Sequence, residues 1–144
     1  MTQTKMMLEA SPIELPLDAG EMAAAIDACL GCVQACASCA DADLAEPGDD
    51  ELSACVALCV TCADVCALTV RLLSRPAHWD NVVVHPVLQA CLRACSATAE
   101  ECARHAQHHP HCAVCERVCR ACVTACETLL QAEVFAEVQR LAGG

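Results

Sequence analysis

The stretch CLGCVQACASC places Cys29, Cys32, Cys36 and Cys39 at steps of three, four and three. A thiolate can act as a nucleophile, a redox centre or a soft metal ligand, and spacing helps to tell these apart. Steps of three and four return to one face of an α-helix, and their alternation has the 3.5-residue period of a bundle seam. A zinc knuckle would instead turn between two close cysteine pairs. The same rhythm recurs in Cys55, Cys59, Cys62 and Cys66, and again in Cys112, Cys115, Cys119, Cys122 and Cys126. A further run holds Cys91, Cys95 and Cys102, with Thr98 at the missing rung.

Cysteine also serves as a small apolar core residue. Sixteen of them on four seams exceed that role, because the neighbouring alanines fill space without redox liability. Disulfides fit poorly, since neighbours within one helical stripe lack bridge geometry and cytosolic reductants oppose them. Metal remains. Residues at i and i+4 have Cβ atoms roughly 5–6 Å apart, and two sulfurs across one ion lie about 4.6 Å apart for a metal–sulfur bond of roughly 2.3 Å. Adjacent rungs can thus share a two-coordinate ion, which suits Cu(I), whereas Zn(II) wants a tetrahedron. Charge favours the same ion. Replacing a thiol proton by Cu(I) leaves the total unchanged, while each four-thiolate zinc site brings two net negative charges into a low-dielectric core. A zinc store and an iron–sulfur electron carrier stay as alternatives, although no run here matches the C-x-x-C-x-x-C-x-x-x-C-P pattern that wraps a cluster.

Four helices must position these stripes. Asp18 with Glu21 forms a capping box for a first long helix over residues 19 to 43, which EPGDD ends. Asp49 or Asp50 caps a second over 50 to 75, with Arg71 and Arg75 near its negative pole and Pro76 just beyond. The third starts between Asn81 and Pro86, where Pro86 restricts His85, and runs to about His108. The fourth starts at Pro110 and runs to 141, before Gly143 and Gly144. The expected fold is all-α: an antiparallel four-helix bundle over 18–142, with a lead-in segment over 1–17 in which Ser11, Pro12 and Glu14 open a short helical turn before Pro16. Each cysteine stripe is expected to face inward, lining one tube.

Composition narrows the function. The chain has 144 residues, enough for one compact domain, and only Trp79 and Phe135 are aromatic, so small residues must line the core. A formal charge of −11 with eight Lys and Arg excludes a nucleic-acid partner. The opening MTQTKMMLEASPIELPLDAGE carries acids and prolines where an export signal needs an apolar core. No apolar run is expected to span a membrane, and the location expected is cytoplasmic.

The C-x-x-C-x-x-x-C-x-x-C of the first helix, the C-x-x-x-C-x-x-C-x-x-x-C of the second and the five-cysteine fourth resemble the copper storage protein family, in its cytosolic branch. The likeness spans residues 19 to 141. It implies many Cu(I) ions held by thiolates inside the bundle, and assembly into a homotetramer. Thr98 interrupts the pattern on the third helix. Copper is the expected cargo, and a copper chaperone or a recipient enzyme is a candidate partner.

The tube should have two unlike ends. Extending the stripes one way reaches Met22, Leu73, Leu88 and Leu129, an apolar plug. The other way, the third stripe passes from Cys102 to His105 and, if the helix persists, His109, with His108 and His111 nearby. His105 and His109 are the candidate imidazole ligands of a mouth, to be added to the sixteen cysteines. Met6, Met7 and Met22 are softer and weaker candidates. His78 and His85 are expected at the surface or in caps. Cys112 beside His111 lacks a third, orienting group for nucleophilic catalysis, so no enzyme is expected.

Overall fold

The computed structural model describes residues 2–48 and 50–143. Six α-helices follow in order: α1 (Gln3–Glu9), α2 (Ala19–Ala45), α3 (Ser53–Leu73), α4 (Asn81–His105), α5 (Pro110–Leu130) and α6 (Ala136–Gly143). Helices α2 to α5 form the expected bundle. Each packs against two neighbours, α2 on α3 and α5, and α4 on α3 and α5, which closes a four-sided tube. Short connections force successive helices to run antiparallel.

Caps explain most boundaries. The Asp18 carboxylate accepts from the Glu21 backbone N–H at 2.9 Å, starting α2. Asp80 does the same for Val82 at 2.9 Å, starting α4. His85 is helical in spite of Pro86 and is buried, not superficial, with its ring 5.5 Å from that of Phe135. Helix α3 departs from expectation. Asp50 lies in a 3₁₀ turn (Asp50–Leu52), and Leu52, which has no side-chain cap, precedes the helix. Asp49 and Gly144 lie outside the described residues.

Both termini differ from the sequence reading. The lead-in forms its helix earlier, over Gln3–Glu9, while Ser11 to Glu14 are not helical. Leu8 is buried and the Thr4 hydroxyl donates to the Asp27 carboxylate at 2.6 Å, which fastens α1 across α2. The last long helix stops at Leu130. A 3₁₀ turn (Glu133–Phe135) and α6 follow, because the chain folds back to bury Phe135 completely. Met22, Leu73, Leu88 and Leu129 are also fully buried, so that end of the tube is packed with apolar side chains.

By length and composition three helical stretches, Ala19–Ala45, Asp50–Leu73 and Asn81–His105, reach the range of a membrane span, contrary to the sequence expectation. The reason is that cysteine and alanine score as apolar. Here their cysteines face one another inside the bundle.

Candidate metal centre

All sixteen cysteines are free thiols and all are buried, as one inward seam on each helix requires. They meet in layers. Cys29, Cys66, Cys91 and Cys122 bring their sulfurs within 4.8 Å of one another, and each comes from a different helix, α2 to α5. The set Cys32, Cys66, Cys95 and Cys122 repeats this pattern, as does Cys39, Cys59, Cys102 and Cys115. Cys36, Cys115 and Cys119 form a smaller cluster.

The contacts run mainly across helices. Cys29 Sγ is 3.5 Å from Cys122 and 3.7 Å from Cys91. Cys66 is 3.6 Å from Cys95 and 3.8 Å from Cys91. Cys55 is 3.8 Å from Cys102, and Cys36 is 3.7 Å from Cys119. Along a helix, Cys62 and Cys66 approach to 3.9 Å. The rungs expected along each stripe are thus less prominent than bridges between stripes, because inward side chains from facing helices converge on the axis. Thr98 does occupy the missing rung: it is fully buried, and its hydroxyl donates to the Leu58 carbonyl on α3 at 3.2 Å.

Crowded thiols resist ionisation. Contacts with Cys122, Cys32, Cys62 and Cys66 all push the Cys95 thiol upward, and burial is the largest cause for Cys112. Cys39 is pulled down by Cys102 but pushed up by Cys115 and Cys55, and stands at about 12. Cys122 goes the other way, held down by Cys126, Cys29, Cys32 and Cys66, whose S–H groups can converge on it. A cluster that shares protons in this way loads a monovalent soft cation by exchanging it for a proton.

At the end opposite the plug, sulfur gives way to mixed ligands. Cys39, Asp43, His111 and Cys112 hold their ligand atoms within 4.8 Å of one another. His111 Nε2 is 2.8 Å from Asp43 Oδ1, and the Cys112 thiol donates to the same oxygen at 3.5 Å. The Asp43 side chain is fully buried, and its Oδ2 has no hydrogen-bond partner. Burial chiefly, together with Cys55, raises its carboxyl above the ordinary value, against the pull of His111. Sequence reasoning passed over Asp43. The signal was present, since 29, 32, 36, 39 and 43 continue the three–four rhythm by one rung.

The two histidines expected as ligands are at this end as well. His105 is bonded to Glu101 at 2.7 Å. Helix α4 stops at His105, so His109 becomes the residue before α5 and lies 3.3 Å from Glu46. His108 is exposed. The structure therefore brings His111, more than His105 or His109, to the thiols.

A tube of thiol layers, sealed at one end and lined with imidazoles and a carboxylate at the other, is what many soft ions held in common would need. The sequence signature described as copper storage protein matches residues 18–131. The chain belongs to the copper storage protein family. Within that family, it is 45% identical to the copper storage protein Ccsp from Streptomyces lividans in a structure loaded with 10 copper equivalents. That likeness has a TM-score of 0.87 and covers 89% of this chain and 98% of the other. A second structure, of copper loading to a cytosolic copper storage protein from Streptomyces lividans with five coppers, is 48% identical at a TM-score of 0.77, over 78% and 94% of the two chains. The chain is also 33% identical over 94 residues to the uncharacterised cysteine-rich protein YhjQ of Bacillus subtilis strain 168, covering 65% of this chain and 82% of that protein.

Proposed function

We propose that this protein stores and buffers Cu(I) in the cytosol, holding many ions per chain on thiolates inside the bundle. The observation that carries the reading is the set of layers to which each of four helices contributes one buried sulfur. Family membership and the copper-loaded relatives support it. The proposed ligands are the sixteen cysteines, with His105 and His109 as imidazoles of the mouth and His111 with Asp43 joining them. The proposed division of the chain is a lead-in over 1–17 and a metal-binding bundle over 18–142. A homotetramer is the proposed assembly, and a copper chaperone or recipient enzyme the proposed exchange partner.

No catalytic step is assigned. Asp43 supplies the third group that the sequence reading found lacking, since its Oδ1 contacts His111 Nε2, but the Cys112 thiol donates to that same carboxylate oxygen and not to the imidazole that would have to take its proton. Elemental analysis of protein isolated without added chelator from copper-supplemented cells tests the metal. Copper in multiple equivalents, with an almost colourless solution, is expected. Predominant zinc would favour the zinc store, and a brown iron-containing protein would favour the electron carrier.

A further inference from the structure

Helix α3 is the most apolar of the three span-length helices by mean hydropathy, yet the smallest share of its apolar stretch is buried. Its outward face explains the mismatch. Ala57, Thr61, Asp64, Leu68 and Arg71 follow one another at steps of four, three, four and three, and all are exposed, with Val60 exposed beside them. That is a second heptad seam, on the side of α3 away from the thiols. Between Ser53 and Leu73 the only charged residues are Asp64 and Arg71. Among the described residues neither side chain makes an ion pair, and seven positions separate them by about 10.5 Å along the axis, too far to meet on one helix.

We propose that this face docks against the same face of a second copy, with the two α3 helices antiparallel about a two-fold axis beside Leu68. A two-fold contact must be self-complementary, so that whatever residue i meets on its partner also meets i. Placing the axis midway between 64 and 71 brings Asp64 of each copy opposite Arg71 of the other, which gives two ion pairs from one charge of each sign. Leu68 then lies at the centre, where apolar contact contributes most, and Ala57 and Thr61 are small enough to let the backbones approach. The opposite charges also fix the orientation, because a parallel pairing would set Asp64 against Asp64. The chain carries a net charge of −11, and copies of like charge need such a nearly uncharged patch to associate. The inference rests on the oligomer part of the proposed function and not on copper, so the two fail separately.

Charge reversal tests it. The full-length reduced protein, and the variants Asp64→Arg, Arg71→Asp and Asp64→Arg/Arg71→Asp, are compared by sedimentation equilibrium, with helicity and copper capacity as checks on folding. Each single reversal should weaken self-association by at least about tenfold, and the double reversal should return it close to wild type, because each pair is restored with its signs exchanged. Copper capacity should be the same in all four. Equal association across the series would overturn the proposal, and so would loss without rescue in the double variant. A monomeric wild type that floats with neutral phosphatidylcholine vesicles, and stops doing so when Leu68 becomes Glu, would also overturn it and assign the face to a lipid surface.

Discussion

Cys29 and Cys122, 93 residues apart in the chain, bring their sulfurs to 3.5 Å across the bundle. Other thiol contacts between helices lie between 3.6 and 4.0 Å. For a metal–sulfur bond of roughly 2.3 Å, a linear two-coordinate ion separates its sulfurs by about 4.6 Å and a trigonal ion by about 4.0 Å. This spacing is closer to the trigonal case. Ions bridging three sulfurs from different helices should therefore dominate a filled tube. X-ray absorption at full loading should show mainly three-coordinate copper–sulfur sites, and a mainly linear two-coordinate signal would mean that the stripes open on loading.

Thr98 offers a local test of the tube. Thr98→Cys should add a sulfur at a buried position and raise the capacity slightly. It also replaces a hydroxyl bonded to Leu58 by a weaker donor, so the copper-free protein should lose about 0.5–1.5 kcal/mol. Chelator titration and thermal unfolding of the variant measure the two effects. An unchanged capacity would show that a sulfur there does not join the layers.

The mouth should control rate more than capacity. Replacing His105 and His109 by Ala is expected to slow copper uptake, and removal by chelators, while the final load stays nearly unchanged. His111→Ala should slow both further, since His111 and Asp43 adjoin Cys112. At the sealed end, Leu129→Ala should cost roughly 2–5 kcal/mol through a cavity without speeding uptake. Stopped-flow loading separates these cases. Normal uptake in the histidine variants with faster uptake in the leucine variant would reverse mouth and plug.

Asp43 gives a pH dependence. Its carboxyl is raised above the ordinary 3.8, first by burial. A raised carboxyl contributes to stability while protonated; that contribution is complete below the unfolded value and is lost as pH rises through the folded one. Copper-free Asp43→Asn should therefore be more stable than wild type at neutral pH, and the difference should shrink on acidification below the raised value. Thermal unfolding across that range checks it, and a difference that grows with acid would contradict the burial argument.

The seams were legible because a 3.5-residue period fixes which face of a helix carries the thiols before any partner is known. Cys29 to Cys39 and Cys112 to Cys126 needed nothing more. Spacing along one helix says nothing about which sulfur on another helix it meets, and so the bridges between helices, such as Cys66 to Cys95, were not readable. The turn after Leu130 has no glycine or proline to mark it; it exists because Phe135 is buried beside His85, a tertiary contact that overrides local helix preference. His109 was misplaced for a related reason. Its position on the third stripe assumed that α4 continued, but the chain leaves the helix after His105 to let Pro110 begin the next.

Storage by thiolates demands capacity, and anaerobic titration of the fully reduced protein with Cu(I) against a competing chelator measures it directly. If each sulfur bridges two ions, the load should be on the order of 16 Cu(I) per chain for two-coordinate ions and about 11 for three-coordinate ones, with about one proton released for each thiol that becomes a ligand. Saturation at one or two tight ions, with the remaining thiols still free to react, would contradict the account.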